Sequence, residues 1–365
     1  MHILAPVSRY QDILPLIDAG ADEFYCGIIP EQVVYKDINC HAGDTASNFS
    51  SYNELQKSID VAHAHRKKLF VTLNMPFIIP EQYRDIDSLL GTIIKIQTDA
   101  IIVSDIGFLN YVKARYPGLE THLSVVAGAT NTYAIDFFRE MGVQRIVLPD
   151  HLSLEEIEQI SARKQNLAIE IFVLNNKCFN WECVCGFHHW PVSDKPRIPL
   201  PVDFLQKTFS LLPAHMVEKL FNLSFIQNLF EIFLQSQKHL QGCKLNYTVS
   251  LSPGISDQTH LLQQRRIQQL LRAAHSWRRM NQCGACSLFM AKTYGIDVIK
   301  LDGRYLPLER KVKDVSFIRR CHDALDCTAD KNEFSRICKE EFKNIYGYPC
   351  RTQQCYYPEL FQNHA

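Results

Sequence analysis

Short apolar runs alternate with longer segments of helical periodicity along the first half of the chain. Runs of this length, bounded by turn residues and separated by helices, are typical of buried parallel strands in βα units. Apolar residues at helical spacing follow several of these runs, for example in 52–65 and 134–141. Ser153 and Glu156 have the spacing of a helix capping box. Seven strands are predicted, at 2–5, 23–28, 68–73, 100–103, 121–126, 145–148 and 168–174.

An eighth strand is predicted only much later, at 297–301. Eight βα units close a TIM-type (β/α)8 barrel, which needs about 250 residues, whereas this chain has 365. We therefore predict an α/β fold of this type with an insertion of apolar helices between its seventh and eighth strands. The predicted parts are barrel strands one to seven in 1–190, the helical insertion in 191–280, strand eight with a closing helix in 281–325, and a cysteine-containing tail in 326–365.

Composition and the lengths of the apolar runs indicate the cellular compartment in which the protein is expected. Lysine plus arginine and aspartate plus glutamate each number 39, so the formal net charge is zero and there is no general nucleic-acid-binding signature. We find no signal-peptide pattern, and no apolar run approaches the roughly 20 residues of a membrane span. We therefore expect a cytoplasmic protein without a membrane span. In that compartment the 13 cysteines are not expected to form a disulfide framework, which leaves metal ligation or buried thiols.

Two groups of cysteines flank the seventh and eighth predicted strands. Cys178 and Cys183 follow the seventh strand, whereas Cys283 and Cys286 form a Cys-x-x-Cys pair before the eighth. Active sites of β/α barrels lie at the carboxyl ends of the strands. We therefore predict that these four thiolates converge there on zinc or on an iron–sulfur centre, although all of them could be reduced structural thiols. The alternate ligands are Cys185, Cys243 and Cys40.

Other candidate side chains lie at or just beyond the predicted strand ends. Asp105 is a candidate general base, and so are Asp150 and His151, which are consecutive in the sequence. Arg304 is a candidate for holding a substrate carboxylate through two parallel hydrogen bonds, or for a structural ion pair with Asp302. We find no Gly-x-Ser-x-Gly elbow, His-Glu-x-x-His motif or phosphate loop in the sequence.

Several segments together resemble a known family, the collagenase-like peptidases of unknown catalytic type, which are the thirty-second family of their series. The similarity covers residues 1–190 and 281–320, and each motif is weak alone but specific in combination. The segments that carry it are Leu4-Ala5-Pro6, the run from Asp18 to Gly27, Val71-Thr72-Leu73-Asn74, Val103-Ser104-Asp105, His122-Leu123-Ser124 and Lys300-Leu301-Asp302-Gly303-Arg304.

The resemblance implies a barrel and, as in several members, a 4Fe–4S cluster held by four cysteines. Members include tRNA and ribosomal RNA hydroxylation proteins and paired accessory proteins of ubiquinone hydroxylation. The resemblance therefore implies an RNA or small aromatic substrate and a paired subunit from the same family. This chain departs from the common family pattern at two strands, and both changes alter the polarity of the expected pocket. On strand five it has Ser124-Val125-Val126 where many members have Ser-Thr-Gln. Strand six ends in Pro149-Asp150-His151 where members commonly have an Arg-Glu pair.

Three functions stay open from the sequence. The first is an iron–sulfur protein of hydroxylation or a related modification. The second is a peptidase, which needs an activated nucleophile or a metal-bound water with a nearby base. The third is a non-catalytic partner subunit with a structural cluster. Iron, sulfide and zinc analysis of anaerobically purified protein is the observation that best separates them.

Overall fold

The computed structural model describes residues 1–30, 38–40, 45–175, 178, 182–183, 282–351, 354–357 and 359–360. The predicted helical insertion at 191–280 lies outside these residues. The alternate ligands Cys185 and Cys243 also lie outside them.

Eight parallel strands close a barrel in the described part of the chain, which confirms the predicted fold class. β1 (His2–Pro6) pairs with both β2 (Glu23–Ile28) and β9 (Val298–Leu301), and these two pairings close the sheet. β3 (Asn48–Phe49) is an additional strand of two residues beside the carboxyl end of β2. The other strands follow in chain order as β4 (Lys68–Leu73), β5 (Ala100–Val103), β6 (Thr121–Leu123), β7 (Arg145–Val147) and β8 (Ala168–Leu174).

Helices connect the strands, and two more helices follow β9. The predicted capping box is confirmed, because Ser153 Oγ accepts a hydrogen bond from Glu156 N at 3.2 Å while the Glu156 side chain accepts from Ser153 N at 2.9 Å. The helices are α1 (Ile13–Asp18), α2 (Tyr52–Ala64), α3 (Tyr83–Lys95), α4 (Ile106–Arg115), α5 (Thr132–Glu140), α6 (Leu154–Ser161), α7 (Leu288–Thr293), α8 (Leu308–Ala324) and α9 (Lys331–Tyr346).

Two predicted elements differ from the structure. The strand predicted through residue 126 ends at Leu123, because the chain turns into a short 3-10 helix. Ser124 caps this helix, with Oγ accepting a hydrogen bond from Val126 N at 3.4 Å. Gly128 ends this turn with a φ of +81°, a conformation that glycine adopts without steric cost. The predicted tail also contains α9, which packs against α8 and the turn after Cys283.

Charged side chains form a buried network inside the barrel. Arg145 Nη1 lies 2.8 Å from Glu23 Oε2 and 3.2 Å from Glu170 Oε2. Lys300 Nζ lies 2.8 Å from Glu170 Oε1. Burial by itself raises the pKa of Glu170, but the charges of Lys300 and Arg145 outweigh it and hold this pKa below its ordinary value. Each buried charge in this network therefore has a partner of opposite sign.

Replacing Glu170 with alanine should lower the free energy of unfolding by about 3–5 kcal/mol, because removing one partner leaves buried charges uncompensated. Urea denaturation followed by circular dichroism measures this change. The matched control is Glu340→Ala, which breaks the exposed pair with Arg336 and should cost at most about 1 kcal/mol. Equal losses in the two variants would contradict the role assigned to Glu170.

Candidate functional site

Asn74 joins several loops at the carboxyl-terminal mouth of the barrel. Its side-chain nitrogen donates to Ser124 Oγ at 3.2 Å, and its carbonyl oxygen accepts from Ser104 Oγ at 2.8 Å. Cys40 contacts the same residue twice, through Sγ to the Asn74 carbonyl oxygen at 2.9 Å and through its backbone N–H to Asn74 Oδ1 at 3.2 Å. The alternate ligand Cys40 is therefore held at the mouth beside the ends of β4, β5 and β6.

Asp150 links the segments that carry the first predicted cysteine pair. Its Oδ2 accepts a hydrogen bond from Cys178 N at 2.6 Å, and its own N–H donates to Glu182 Oε2 at 3.2 Å. Cys183 follows Glu182 and lies against Gly128, where an added Cβ would come within 2.8 Å of the Cys183 Cβ. Cys178 and Cys183 are thus anchored at the mouth beyond β6 and β7, and both are partly exposed.

The second predicted pair lies among thiols of the carboxyl-terminal region. Cys283 N donates to Gln354 O at 2.7 Å, and Cys283 forms an isolated β-bridge with Cys355. Cys286 Sγ lies 3.9 Å from the carbonyl oxygen of Ser335, on α9. Burial raises the pKa of Cys283, and the neighbouring thiols of Cys350, Cys286 and Cys355 contribute in the same direction.

Tyr356 connects Cys283 with the end of β8. Its backbone N–H donates to Cys283 O at 2.9 Å, whereas its hydroxyl donates to the carbonyl oxygen of Asn175, close to Cys178 in sequence. Within the described residues, no group of three or more His, Cys, Asp or Glu side chains is placed to hold a metal ion. The convergence of all four cysteines therefore stays a prediction.

Asp105, a predicted general base, has a clear structural role. It caps the amino terminus of α4, where Oδ1 accepts from Phe108 N at 2.7 Å. Its Oδ2 accepts from Ile78 N at 3.1 Å. Both carboxylate oxygens are engaged by backbone donors, so the geometry favours a capping role. Of the other predicted bases, Asp150 is engaged with Cys178 as described above, and His151 is buried beside it.

Arg304 extends from the loop after β9 to the neighbouring strands of the mouth. Its Nη1 donates to Thr72 Oγ1 at 3.0 Å, and an added Cβ at Gly27 would lie only 2.3 Å from the same nitrogen. The ion pair with Asp302 considered from the sequence does not form. Asp302 Oδ1 instead accepts from Gly303 N at 2.7 Å and from Tyr25 Oη at 3.3 Å.

Two residues that help to form the mouth were not predicted from the sequence, Glu182 and Tyr356. Glu182 is adjacent to a predicted ligand, and this proximity is a signal that the sequence contained. Tyr356 follows Cys355 in the tail, and no local pattern connects it with β8. Its position depends on how the tail returns to the barrel.

Comparison with known proteins assigns the chain to a family. The sequence profile described as Peptidase family U32 matches residues 8–195, slightly more than half of the chain. This chain belongs to peptidase family U32. The family predicted from the sequence is therefore confirmed.

The relatives within the family have different names. The chain is 32% identical over 190 residues to tRNA hydroxylation protein P of Escherichia coli K12, a match that covers 50% of this chain and 38% of that protein. It is 30% identical over 159 residues to a collagenase of Porphyromonas gingivalis, with 44% and 35% covered. The chain thus matches well under half the length of these relatives.

A solved structure of a U32 peptidase superposes on this chain with a TM-score of 0.38 and 16% identity, covering 47% of this chain and 67% of that one. None of the helices in the described ranges has the length and apolar composition required to cross a membrane.

Replacing Asp105 with alanine should lower the free energy of unfolding by about 1–2 kcal/mol, because α4 loses its capping acceptor. Asp105→Asn is the matched control, since asparagine is also a good N-cap residue and should retain most of the stability. Urea denaturation of the two variants measures the difference. Loss of activity in a fully stable Asp105→Asn variant would contradict a purely capping role and favour a general base.

Proposed function

We propose that this protein takes part in the hydroxylation of RNA and that it carries a 4Fe–4S cluster at the barrel mouth. The proposal is supported by the similarity to tRNA hydroxylation protein P over the barrel. The structural observation that supports it is the placement of Cys40, Cys178 and Cys183 in loops at the carboxyl ends of the strands. These three thiols do not converge on a single ion in this structure, so the cluster would draw them together. Active sites of this fold lie at that end of the barrel.

The chemistry of these side chains fits an iron–sulfur cluster, because its usual ligands are cysteine thiolates. The pKa of Cys40 is raised to about 12, chiefly by burial; the charge of Arg304 opposes this increase and that of Glu182 adds to it. Cys40 is therefore a protonated thiol in the metal-free protein, and binding of iron would release its proton.

Three thiolate ligands would leave a fourth coordination position for Cys283, Cys286 or a substrate. When bound, the cluster would supply an iron centre for substrate binding or electron transfer. The chain itself positions the ligands: the Asp150 carboxylate fixes the backbone of Cys178, and Asn74 fixes Cys40. Outer contacts of this kind orient metal ligands and are required for affinity.

The similarity to a collagenase supports a peptidase as the second candidate function. A thiol peptidase needs a cysteine with a base in hydrogen-bonding reach. In the described residues the backbone N–H of Cys178 donates to the carboxylate of Asp150, and this contact does not by itself form such a pair. Cleavage of gelatin by purified, metal-free protein would favour this function over hydroxylation.

Anaerobically purified wild-type protein should contain iron and sulfide in equal amounts, as expected for a 4Fe–4S cluster. Cys178→Ser, Cys183→Ser and Cys40→Ser should each lose most of the bound iron, because each removes a proposed thiolate. Cys26→Ser is the control, since Cys26 is buried within β2 and should affect stability instead. Iron, sulfide and zinc analysis gives the result.

Cys283→Ser and Cys286→Ser decide the remaining ligand. Loss of iron in either variant would favour the four cysteines predicted from the sequence, and full iron in both would restrict the site to the mouth loops. Zinc in place of iron, or full iron in the Cys178→Ser variant, would contradict the proposed cluster. Mass spectrometry of tRNA and ribosomal RNA nucleosides from cells without the protein tests hydroxylation separately. An iron-loaded protein without effect on RNA would favour the third candidate, a non-catalytic partner subunit.

A further inference from the structure

Among the residues that the structure describes, Arg304 is a buried cation without a carboxylate partner. Its residue exposure is only 5%, and its hydrogen bond in the described structure goes to a neutral hydroxyl, Thr72 Oγ1. Thr72 Oγ1 in turn donates to Cys26 O at 2.9 Å, so the hydroxyl offers its lone pair to the guanidinium. No ion pair with Arg304 forms among the described residues. Burying a charge without a counter-ion is costly, so the fold keeps Arg304 there against a stability cost.

A second buried cation, Lys311, lies on the same side of the mouth. Lys311 is buried and pairs with Asp12, whose Oδ2 lies 2.9 Å from Lys311 Nζ. Burial lowers the pKa of Lys311, and the positive charges of Arg9 and Arg304 lower it further, although Asp12 raises it. The nearest acid in sequence, Asp302, is occupied by Gly303 N and Tyr25 Oη. Neither of these two carboxylates therefore forms an ion pair with Arg304.

Gly27 leaves space for the guanidinium to lie against the backbone of β2. An added Cβ would be 2.0 Å from Asn48 Oδ1 and 2.3 Å from Arg304 Nη1, both inside van der Waals contact. The Arg304 guanidinium carbon lies 6.0 Å from the centre of the Tyr25 ring, which is at the limit of a cation–π contact. The guanidinium is thus packed against β2, β4 and the Tyr25 ring.

We propose that Arg304 binds the oxyanion of a small substrate, a carboxylate or a phosphate, inside the barrel mouth. The guanidinium presents donors in a planar fork that suits two oxygens of such a group. Arg304 follows the last strand of the barrel, and loops after the last two strands are where barrels of this type frequently bind phosphate. That this oxyanion belongs to a substrate rests on the proposed function. That Arg304 binds an oxyanion does not depend on the proposed function.

The first test compares two buried arginines changed in the same way. Arg304→Met should leave the urea midpoint unchanged or raise it, because it removes an uncompensated charge. Arg145→Met is the matched control and should lower the midpoint strongly, since it leaves Glu23 and Glu170 without their partner. A comparable loss of stability in both variants would show that Arg304 is a structural residue and would overturn the proposal.

The second test measures anion binding to full-length protein by calorimetry at constant ionic strength. Inorganic phosphate and benzoate are the two probes, and chloride is the reference anion. At least one probe should bind the wild type, and Arg304→Met should weaken that binding roughly tenfold or more. Arg304→Lys keeps the charge without the fork and should be intermediate, so it provides a second variant if Arg304→Met does not fold.

Preference for phosphate would identify a phosphoryl ligand, and preference for benzoate would identify a carboxylate ligand. The proposal would be overturned if neither probe bound the wild type. It would also be overturned if the wild type and both variants bound a probe equally well. Iron content of Arg304→Met is measured in parallel. Normal iron content with lost anion binding in Arg304→Met would support the role of Arg304 in anion binding independently of the cluster. A wild-type protein that lacks iron but still binds the anion would contradict only the proposed cluster.

Discussion

The pairing of β1 with β9 is the constraint on which the rest of the molecule depends. It joins His2, Ile3 and Leu4 to Val298, Ile299 and Lys300 across nearly the whole chain. Because β1 also pairs with β2, this contact turns an open parallel sheet into a closed barrel. Closure brings the loop after β9 beside β2 and β4, so Arg304 reaches Thr72 only because the sheet is circular.

The closed barrel holds two buried arginines in opposite electrostatic settings. Arg145 is compensated by Glu23 and Glu170 inside the barrel, where the network contributes to stability once it is complete. Arg304 has no carboxylate partner in the described part of the carboxyl-terminal mouth, where the proposed ligand would supply the missing charge. This difference matches the usual division of barrels of this type, in which the mouth carries function and the opposite end carries stability.

The cysteines show where spacing along a sequence stops being informative. Cys178 and Cys183 contact residues beyond β6 and β7, as expected for the mouth. Cys283 is held by a backbone hydrogen bond from its N–H to Gln354 O, in a tail whose return to β8 has no local signature. A Cys-x-x-Cys spacing indicates that two thiols lie close together, but it does not identify which other thiols join them.

The sequence by itself determined the eight barrel strands, the helices near 52–65 and 134–141 and the capping box at Ser153, because periodicity and capping depend on residues only a few positions apart. It also indicated the family and the end of the barrel where chemistry is expected. Only the tertiary structure decided that both carboxylate oxygens of Asp105 accept from backbone donors and that Arg304 is buried with no counter-ion among the described residues. Burial and charge compensation depend on which distant segments meet, and barrel closure alone sets those distances.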